Sequence, residues 1–258
     1  MSPQRLGQHF LEDVEVIDSI IAAADLSTDD TVVEVGPGRG ALTGHLVENA
    51  GRVLLLEFDE DLADRLAEKY EPAENVRVLH ADARDFGSDI DPWTRKDDYK
   101  VVANLPYYAA NPITRNFLES TRKPTSMVIM IQSEVANDMA EKPGDMSLLS
   151  LAIQIYSTAE HVVDAPPECF NPPPKVHSSV LKLTPMNKPQ IAFESEEDFF
   201  KLARSGFKSP RKQLHNSLSD GLFIPSKEAR ELVEQTGFES TRRPATLSLS
   251  DWQILYDV

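Results

Sequence analysis

Apolar positions along the chain fall into two alternating patterns. Short continuous runs occur at Thr31-Val32-Val33-Glu34-Val35, Arg52-Val53-Leu54-Leu55-Leu56, Val76-Arg77-Val78-Leu79, Val101-Val102-Ala103 and Met127-Val128-Ile129-Met130-Ile131. Each has the length and β-branched content of a buried strand. Between them, residues at about 39–50, 59–70 and 111–121 place apolar side chains at helical spacing. Ahead of the first run, Val14, Ile17, Ile20, Ile21 and Ala24 share one face of an amphipathic helix. This rhythm predicts an α/β fold, a parallel doubly wound sheet with crossover helices.

The pattern changes in the second half. An apolar helix is predicted over 146–156, followed by late strands around His161-Val162-Val163 and Ser179-Val180-Leu181-Lys182-Leu183. Two such strands suit an antiparallel pair on the edge of the sheet. The prolines between Asp164 and Lys175 preclude regular helix or a central strand there and predict rigid extended backbone. Thr184-Pro185-Met186-Asn187-Lys188-Pro189 reads as a linker. Beyond it the periodicity is helical, at about 196–206, 210–219, 226–236 and 246–256, with Ser226 and either Ser248 or Ser250 as helix starts. The expected organisation is an α/β domain over 1–185 and a small all-helical domain over 190–258, near the lower size limit for independent folding.

Composition narrows the class. A hydrophobic content of 41% and a charged content of 26% describe an ordinary globular protein. No apolar run is long enough to cross a bilayer, and Met1-Ser2-Pro3-Gln4-Arg5 leads into polar sequence, so a cytoplasmic location without membrane partners is expected. The single cysteine, Cys169, excludes an intramolecular disulfide framework and a cysteine-rich zinc site, and a small buried side chain is expected there. The net charge of −16, with 42 acidic and 26 basic residues, argues at first sight against a nucleic-acid partner. Placement counts for more than the sum: Lys201, Arg204, Lys208, Arg211 and Lys212 fall in a stretch without acids, and Arg242-Arg243 follow. An acidic body of this kind also suits a salt-rich cytoplasm, where screening weakens charge repulsion.

The candidate chemistry sits at predicted strand ends, where open α/β sheets bind their ligands. Glu34-Val35-Gly36-Pro37-Gly38-Arg39-Gly40 joins the first strand to a helix, and its alternating glycines admit a ligand close to the backbone. Its spacing lacks the third glycine of the dinucleotide fingerprint, which counts against NAD and favours a nucleoside cofactor without pyrophosphate, most commonly S-adenosylmethionine. Glu57 ends the second strand, placed to hold ribose hydroxyls, and Asp82 follows the third, placed to accept from an adenine amine. Asn104-Leu105-Pro106-Tyr107 follows the fourth. An Asn amide oxygen and a backbone carbonyl, held by Pro106, make a receptor for the exocyclic amine of a planar base, with Tyr107 to stack on it. The same tetrapeptide also reads as a strand ending in a turn. No metal is expected, since His and Cys ligands are not clustered.

Taken together these motifs resemble the small-subunit rRNA adenine dimethyltransferases of the KsgA type, over essentially the whole chain. The similarity lies in Gly7-Gln8-His9-Phe10-Leu11, Val35 to Thr43, Glu57-Phe58-Asp59, Asn104-Leu105-Pro106-Tyr107-Tyr108 with Pro112, Phe170 to Ser178, and Phe207 to Leu218. His9, where many relatives carry Asn, is a departure. The resemblance implies a Rossmann-like S-adenosylmethionine-dependent methyltransferase sheet with a small helical C-terminal domain. It implies transfer of two methyl groups to N6 of each of two adjacent adenosines near the 3′ end of small-subunit rRNA, by a monomer acting on an assembling particle. By the same resemblance His9, Leu11, Gly36, Gly38, Glu57, Asp82 and Asn104 bind cofactor, Asn104 and the Leu105 carbonyl receive the amine, and Tyr107 and Phe170 stack on opposite faces of a flipped base. Lys208, Arg211 and Lys212 would bind RNA.

A second methylation needs room for a bulkier amine, which the small residues Ala103, Ala109 and Ala110 are expected to leave. Two other readings compete. One is an amino methyltransferase acting on DNA adenine or on a large-subunit rRNA adenine; the other is a non-catalytic assembly or transcription factor that retains the fold.

Overall fold

The computed structural model describes residues 9–87, 92–96 and 98–258; Met1 to Arg5, read above for a leader segment, lie outside them. In chain order the elements are β1 (Phe10–Leu11), α1 (Val14–Ala24), β2 (Thr31–Val35), α2 (Thr43–Asn49), β3 (Arg52–Glu57), α3 (Glu60–Tyr70), β4 (Val76–His80), α4 (Pro92–Lys96), β5 (Tyr99–Asn104), α5 (Ala110–Glu119), β6 (Ser126–Gln132), α6 (Ser133–Ala140) and α7 (Leu148–Gln154). There follow β7 (Ser157–Ala165), β8 (Phe170–Asn171), β9 (Ser178–Pro185), α8 (Glu196–Gly206), α9 (Leu214–Leu222), α10 (Ser226–Gln235) and α11 (Leu249–Tyr256). Contacts divide the chain into two compact units, Met1–Ala136 with Ser157–Asn187, and Asn137–Tyr156 with Lys188–Val258. Among the described residues no helix is long and apolar enough to cross a membrane.

The first unit is built on a seven-stranded sheet of order β4-β3-β2-β5-β6-β9-β7. Its first five strands are parallel, with Val33 opposite Leu54 on one side and Val101 on the other. The apolar runs of β2, β3, β5 and β6 are buried on both faces, which is why they show no alternation, whereas the edge strand β4 is only half-buried. The two late strands do pair antiparallel, but β9 lies between β6 and β7, so that β7 alone forms the opposite edge. Helices α1 and α3 begin where a side chain satisfies a free N–H group: Asp13 accepts from Val16 N at 3.0 Å and Asp59 from Leu62 N at 3.1 Å.

Three differences from the sequence expectations have local causes. Helix α2 starts at Thr43 rather than near residue 39, because Gly36, Gly38 and Gly40 all take positive φ and Gly40 N–H closes a turn on Pro37 O at 2.8 Å. Helix α9 starts at Leu214 rather than 210, because Lys212 N–H closes a turn on Ser209 O at 2.9 Å. Helix α6 follows β6 without an intervening loop and carries no turn signal in sequence.

The second unit is helical. Trp252, Phe199, Leu214, Leu218 and Val233 fill its core, with Phe207 stacked on Trp252 at 5.2 Å between ring centroids. Residues 137–156 join it through hydrogen bonds from Gly144 N–H and Met146 N–H to the Ala245 carbonyl, from Gln190 N–H to the Ile155 carbonyl and from the Tyr156 hydroxyl to Glu196. Helix α11 opens with a capping box between Ser248 and Asp251.

Candidate active site

In the sheet order β2 is flanked by β3 and β5, so chain direction along the sheet reverses there, and a crevice opens beyond the carboxyl ends of these strands. The glycine loop lines it. Gly36 and Gly38 have φ of 66° and 58°, a region that side-chain-bearing residues rarely enter. A Cβ on Gly38 would lie 3.2 Å from the Phe10 ring, and one on Gly36 would lie 3.6 Å from the Asn104 carbonyl oxygen. The loop is therefore pressed between β1 and the end of β5 with no room to spare at Gly38.

Glu57 ends β3 and is only 4% exposed. Its two oxygens accept from Gly38 N at 3.0 Å and Asp59 N at 2.9 Å, which ties the glycine loop to the start of α3. A second acid that sequence reasoning passed over, Glu34, is buried in the middle of β2 and also lines the crevice. It accepts from the Thr43 hydroxyl at 2.7 Å. Burial pushes the Glu34 carboxyl up to about 8; the Thr43 hydrogen bond opposes the rise and the charge on Glu57 reinforces it. The signal was present in the sequence, since one acid interrupts an otherwise apolar strand.

Asp82 follows β4, but both of its oxygens accept from Arg84, at distances of 2.5 to 3.0 Å. Hydrogen bonding to Arg84 holds this carboxyl below its usual range. Asn104 closes β5. Leu105 N–H donates to Met130 O at 3.0 Å and Ala109 N–H to Pro106 O at 2.9 Å, so the turn is fixed by its backbone. Neither the Asn104 side-chain amide nor the Leu105 carbonyl has a hydrogen-bond partner among the described residues. Tyr107 is held on two sides: its hydroxyl shares a 2.8 Å hydrogen bond with Ser178, and its ring stacks on His9 at 6.2 Å and 26°.

The remaining wall comes from a two-residue ladder in which Phe10 pairs with Asn171 and Leu11 with Phe170. His9 Nδ1 lies 2.7 Å from the Pro172 carbonyl; a carbonyl only accepts, so this nitrogen carries the proton. Gly7 and Gln8 of the same motif lie outside the described residues. Phe170 is 5% exposed and joins Leu11, Val16 and Cys169 in the apolar core while still lining the crevice.

One cavity of about 320 Å³ thus collects His9, Leu11, Gly36, Gly38, Glu57, Asp82, Asn104, Leu105, Pro106, Tyr107 and Phe170, together with Glu34, Phe58, Arg84 and Tyr108, which the sequence had not singled out as site residues. Of the three small residues expected to leave space, only Ala109 lines it; Ala103 and Ala110 are buried elsewhere in β5 and α5. Lys208, Arg211 and Lys212 belong to the second unit. Lys208 Nζ donates to the Asp220 carbonyl at 2.6 Å, Lys212 pairs with the Asp220 carboxylate at 2.8 Å, and Arg211 has no ion-pair partner among the described residues.

A glycine loop under a buried strand-end acid, beside an Asn-Leu-Pro-Tyr turn, on this sheet order, defines a Rossmann-like S-adenosylmethionine-dependent methyltransferase. The chain belongs to the ribosomal RNA adenine dimethylase family, whose model matches residues 2–252. It is 43% identical over 256 residues to the ribosomal RNA small subunit methyltransferase A of Dehalococcoides mccartyi strain CBDB1, covering 97% of this chain and 86% of that one. It is 39% identical to the protein of the same name from Pelotomaculum thermopropionicum, covering 100% and 91%. Among solved structures it matches a dimethyladenosine transferase from Plasmodium falciparum with a TM-score of 0.79 at 26% identity, covering 96% of each chain. It also matches the 23S rRNA methyltransferase ErmE with a TM-score of 0.74 at 25% identity, covering 96% and 98%. The protein is therefore an rRNA adenine dimethyltransferase that uses S-adenosylmethionine, and the non-catalytic reading is set aside.

Proposed function

We propose that the protein dimethylates N6 of two adjacent adenosines near the 3′ end of small-subunit rRNA, acting as a cytoplasmic monomer on an assembling particle. The small subunit is favoured over the large one because the relatives of highest identity reported above carry small-subunit names. The observation that carries the chemistry is the pair of unpartnered acceptors at the exit of β5, the Asn104 amide oxygen and the Leu105 carbonyl, beside the glycine loop.

The crevice fits the cofactor: its glycines leave the loop backbone bare, Glu57 is a buried acceptor for ribose hydroxyls, and the volume suits a nucleoside-sized ligand. S-adenosylmethionine supplies a methyl group already activated on a sulfonium. The adenine amine is a poor nucleophile because its lone pair is delocalised into the ring. Asn104 and Leu105 would accept its two hydrogens, drawing the amine out of conjugation and aiming the nitrogen. Positioning of this kind needs no strong base. Tyr107, fixed by Ser178 and His9, offers a ring face to a base that must leave its stack. After the first transfer one hydrogen remains, so one acceptor is released and the substituted amine turns toward Ala109.

The test is to map N6,N6-dimethyladenosine by primer extension on rRNA from cells with and without the gene, complemented by the wild type or Asn104→Ala. Loss of both modified positions without the gene and with Asn104→Ala, and restoration by the wild type, is expected. An unchanged pattern, or restoration by Asn104→Ala, overturns the assignment.

A further inference from the structure

The second unit contains an exposed aromatic ring that nothing in the methyl-transfer site explains. Phe223 is 87% exposed and stands at the end of α9 with φ 59° and ψ 38°, in the left-handed region. A bulky residue there is an outlier, since helix ends of this geometry ordinarily use glycine or asparagine. An open apolar ring in a strained backbone is unfavourable in the free protein, and such outliers concentrate at binding sites.

Its surroundings are cationic. Lys201 and Arg204 are spaced i and i+3 on one face of α8 and Lys208 lies in the turn that follows it, and none forms an ion pair among the described residues. Together with Ser205 and Gly221 they line a groove of about 260 Å³. Its floor is fixed by a close approach of two helices, because a Cβ at Gly221 would lie 2.4 Å from the Ser205 Cα. Lys208 belongs to groove and ring alike, with Nζ 4.7 Å from the centroid of Phe223.

We propose that this face is an rRNA-binding subsite for one unpaired nucleotide, with the phosphate held in the groove by Lys201, Arg204 and Lys208 and the base stacked on Phe223. The proposal rests on the reading of the chain as an rRNA enzyme and adds a base-contacting element to it. The partner is anionic, because Lys201 and Arg204, which have no ion-pair partner among the described residues, converge with Lys208, whose Nζ bonds the Asp220 carbonyl, on one groove of a chain whose net charge is −16. It carries a flat apolar surface, because the ring is left open. Unpaired RNA has both, and aromatic stacking is how single-stranded nucleic acid is commonly held. A paired duplex keeps its bases inside and would leave Phe223 unused.

The experiment measures affinity for small-subunit precursor particles, and for the naked rRNA segment protected by the wild type, across a salt series. The variants are Phe223→Ala, Phe223→Trp and Lys201→Gln/Arg204→Gln, with S-adenosylmethionine affinity by calorimetry as the fold control. Phe223→Ala is expected to weaken RNA binding about tenfold without changing the salt slope, and Phe223→Trp to restore it. Lys201→Gln/Arg204→Gln is expected to reduce the slope by about one to two. Unchanged binding by Phe223→Ala overturns the proposal while leaving the enzyme's RNA reading intact. A loss seen on particles but absent on naked RNA assigns the ring to a protein partner and overturns it too. Failure of the wild type to bind either RNA instead removes the underlying reading.

Discussion

The hydroxyls of Tyr107 and Ser178 lie 2.8 Å apart, so the turn that follows β5 is tied to the first residue of β9, 71 positions away in sequence. Burial raises the Tyr107 hydroxyl above the usual phenol range, which keeps it protonated and available to this bond. Both motifs proposed to face the target base are thus joined by one neutral hydrogen bond, with His9 stacked on the same ring.

Tyr107→Phe and Ser178→Ala are each expected to raise KM for the RNA particle several-fold, in line with about 1 kcal/mol for a neutral hydrogen bond, with a smaller change in kcat. The double variant should resemble either single one, because one interaction is lost in all three. Tyr107→Ala removes the ring as well and should cost far more. Methylation assays at varied particle concentration check this, and strictly additive losses would show that the two hydroxyls act independently.

Lys208, Arg211 and Lys212, proposed from the sequence as an RNA surface, are less available to phosphate than their sequence suggests, because Lys208 and Lys212 both engage Asp220. Hydrogen bonding to Lys212 holds the Asp220 carboxyl below its usual range, so this acid is charged at neutral pH and competes with phosphate. Replacing the three cations with Gln should weaken particle binding more than cofactor binding. Asp220→Asn should strengthen particle binding and steepen its salt dependence, since it frees a lysine. Filter binding at two or more salt concentrations reads both effects; an Asp220→Asn variant that binds RNA less tightly would contradict the argument.

Long periodic segments were legible in the sequence and tight spatial pairings were not. The β2 to β6 strands and α1 follow from apolar runs and one amphipathic face, because burial on two faces or one leaves a period to read. The ladder of β1 with β8 joins two-residue strands from opposite ends of the first unit, too short to leave any pattern, yet it brings His9 and Phe170 to the same wall. Asp82 was legible as a strand-end acid, but not its capture by Arg84 two residues on. Phe170 was legible as an aromatic beside rigid prolines, but not as a member of the core, which depends on where Leu11, Val16 and Cys169 meet. The assignment of residues 137–156 to the second unit rests on long-range bonds such as those from Gly144 and Met146 N–H to the Ala245 carbonyl, for which sequence spacing offers no sign.

Glu34 supplies a pH dependence whose sign follows from its burial. Its carboxyl is raised from an ordinary value of 4.5 to about 8 in the folded protein. Between these values the native state holds a proton that the unfolded chain has released, so stability falls as pH rises through this window. The penalty is absent below about pH 4.5, complete above about pH 8, and amounts to about 1.4 kcal/mol for each unit by which the group is raised. Glu34→Gln keeps an oxygen to accept from the Thr43 hydroxyl and removes the ionisation, so the fold is preserved. The stability of the variant relative to the wild type should therefore increase from pH 5 to pH 8 and level off beyond. Denaturant melts across that range measure the difference directly, in which every group common to the two proteins cancels. A difference that stays constant with pH would mean that Glu34 is ionised in the native state near its ordinary value. In that case the desolvation of the buried carboxylate, reinforced by the charge on Glu57, would have to be offset by a cation drawn closer than Lys69 lies at present.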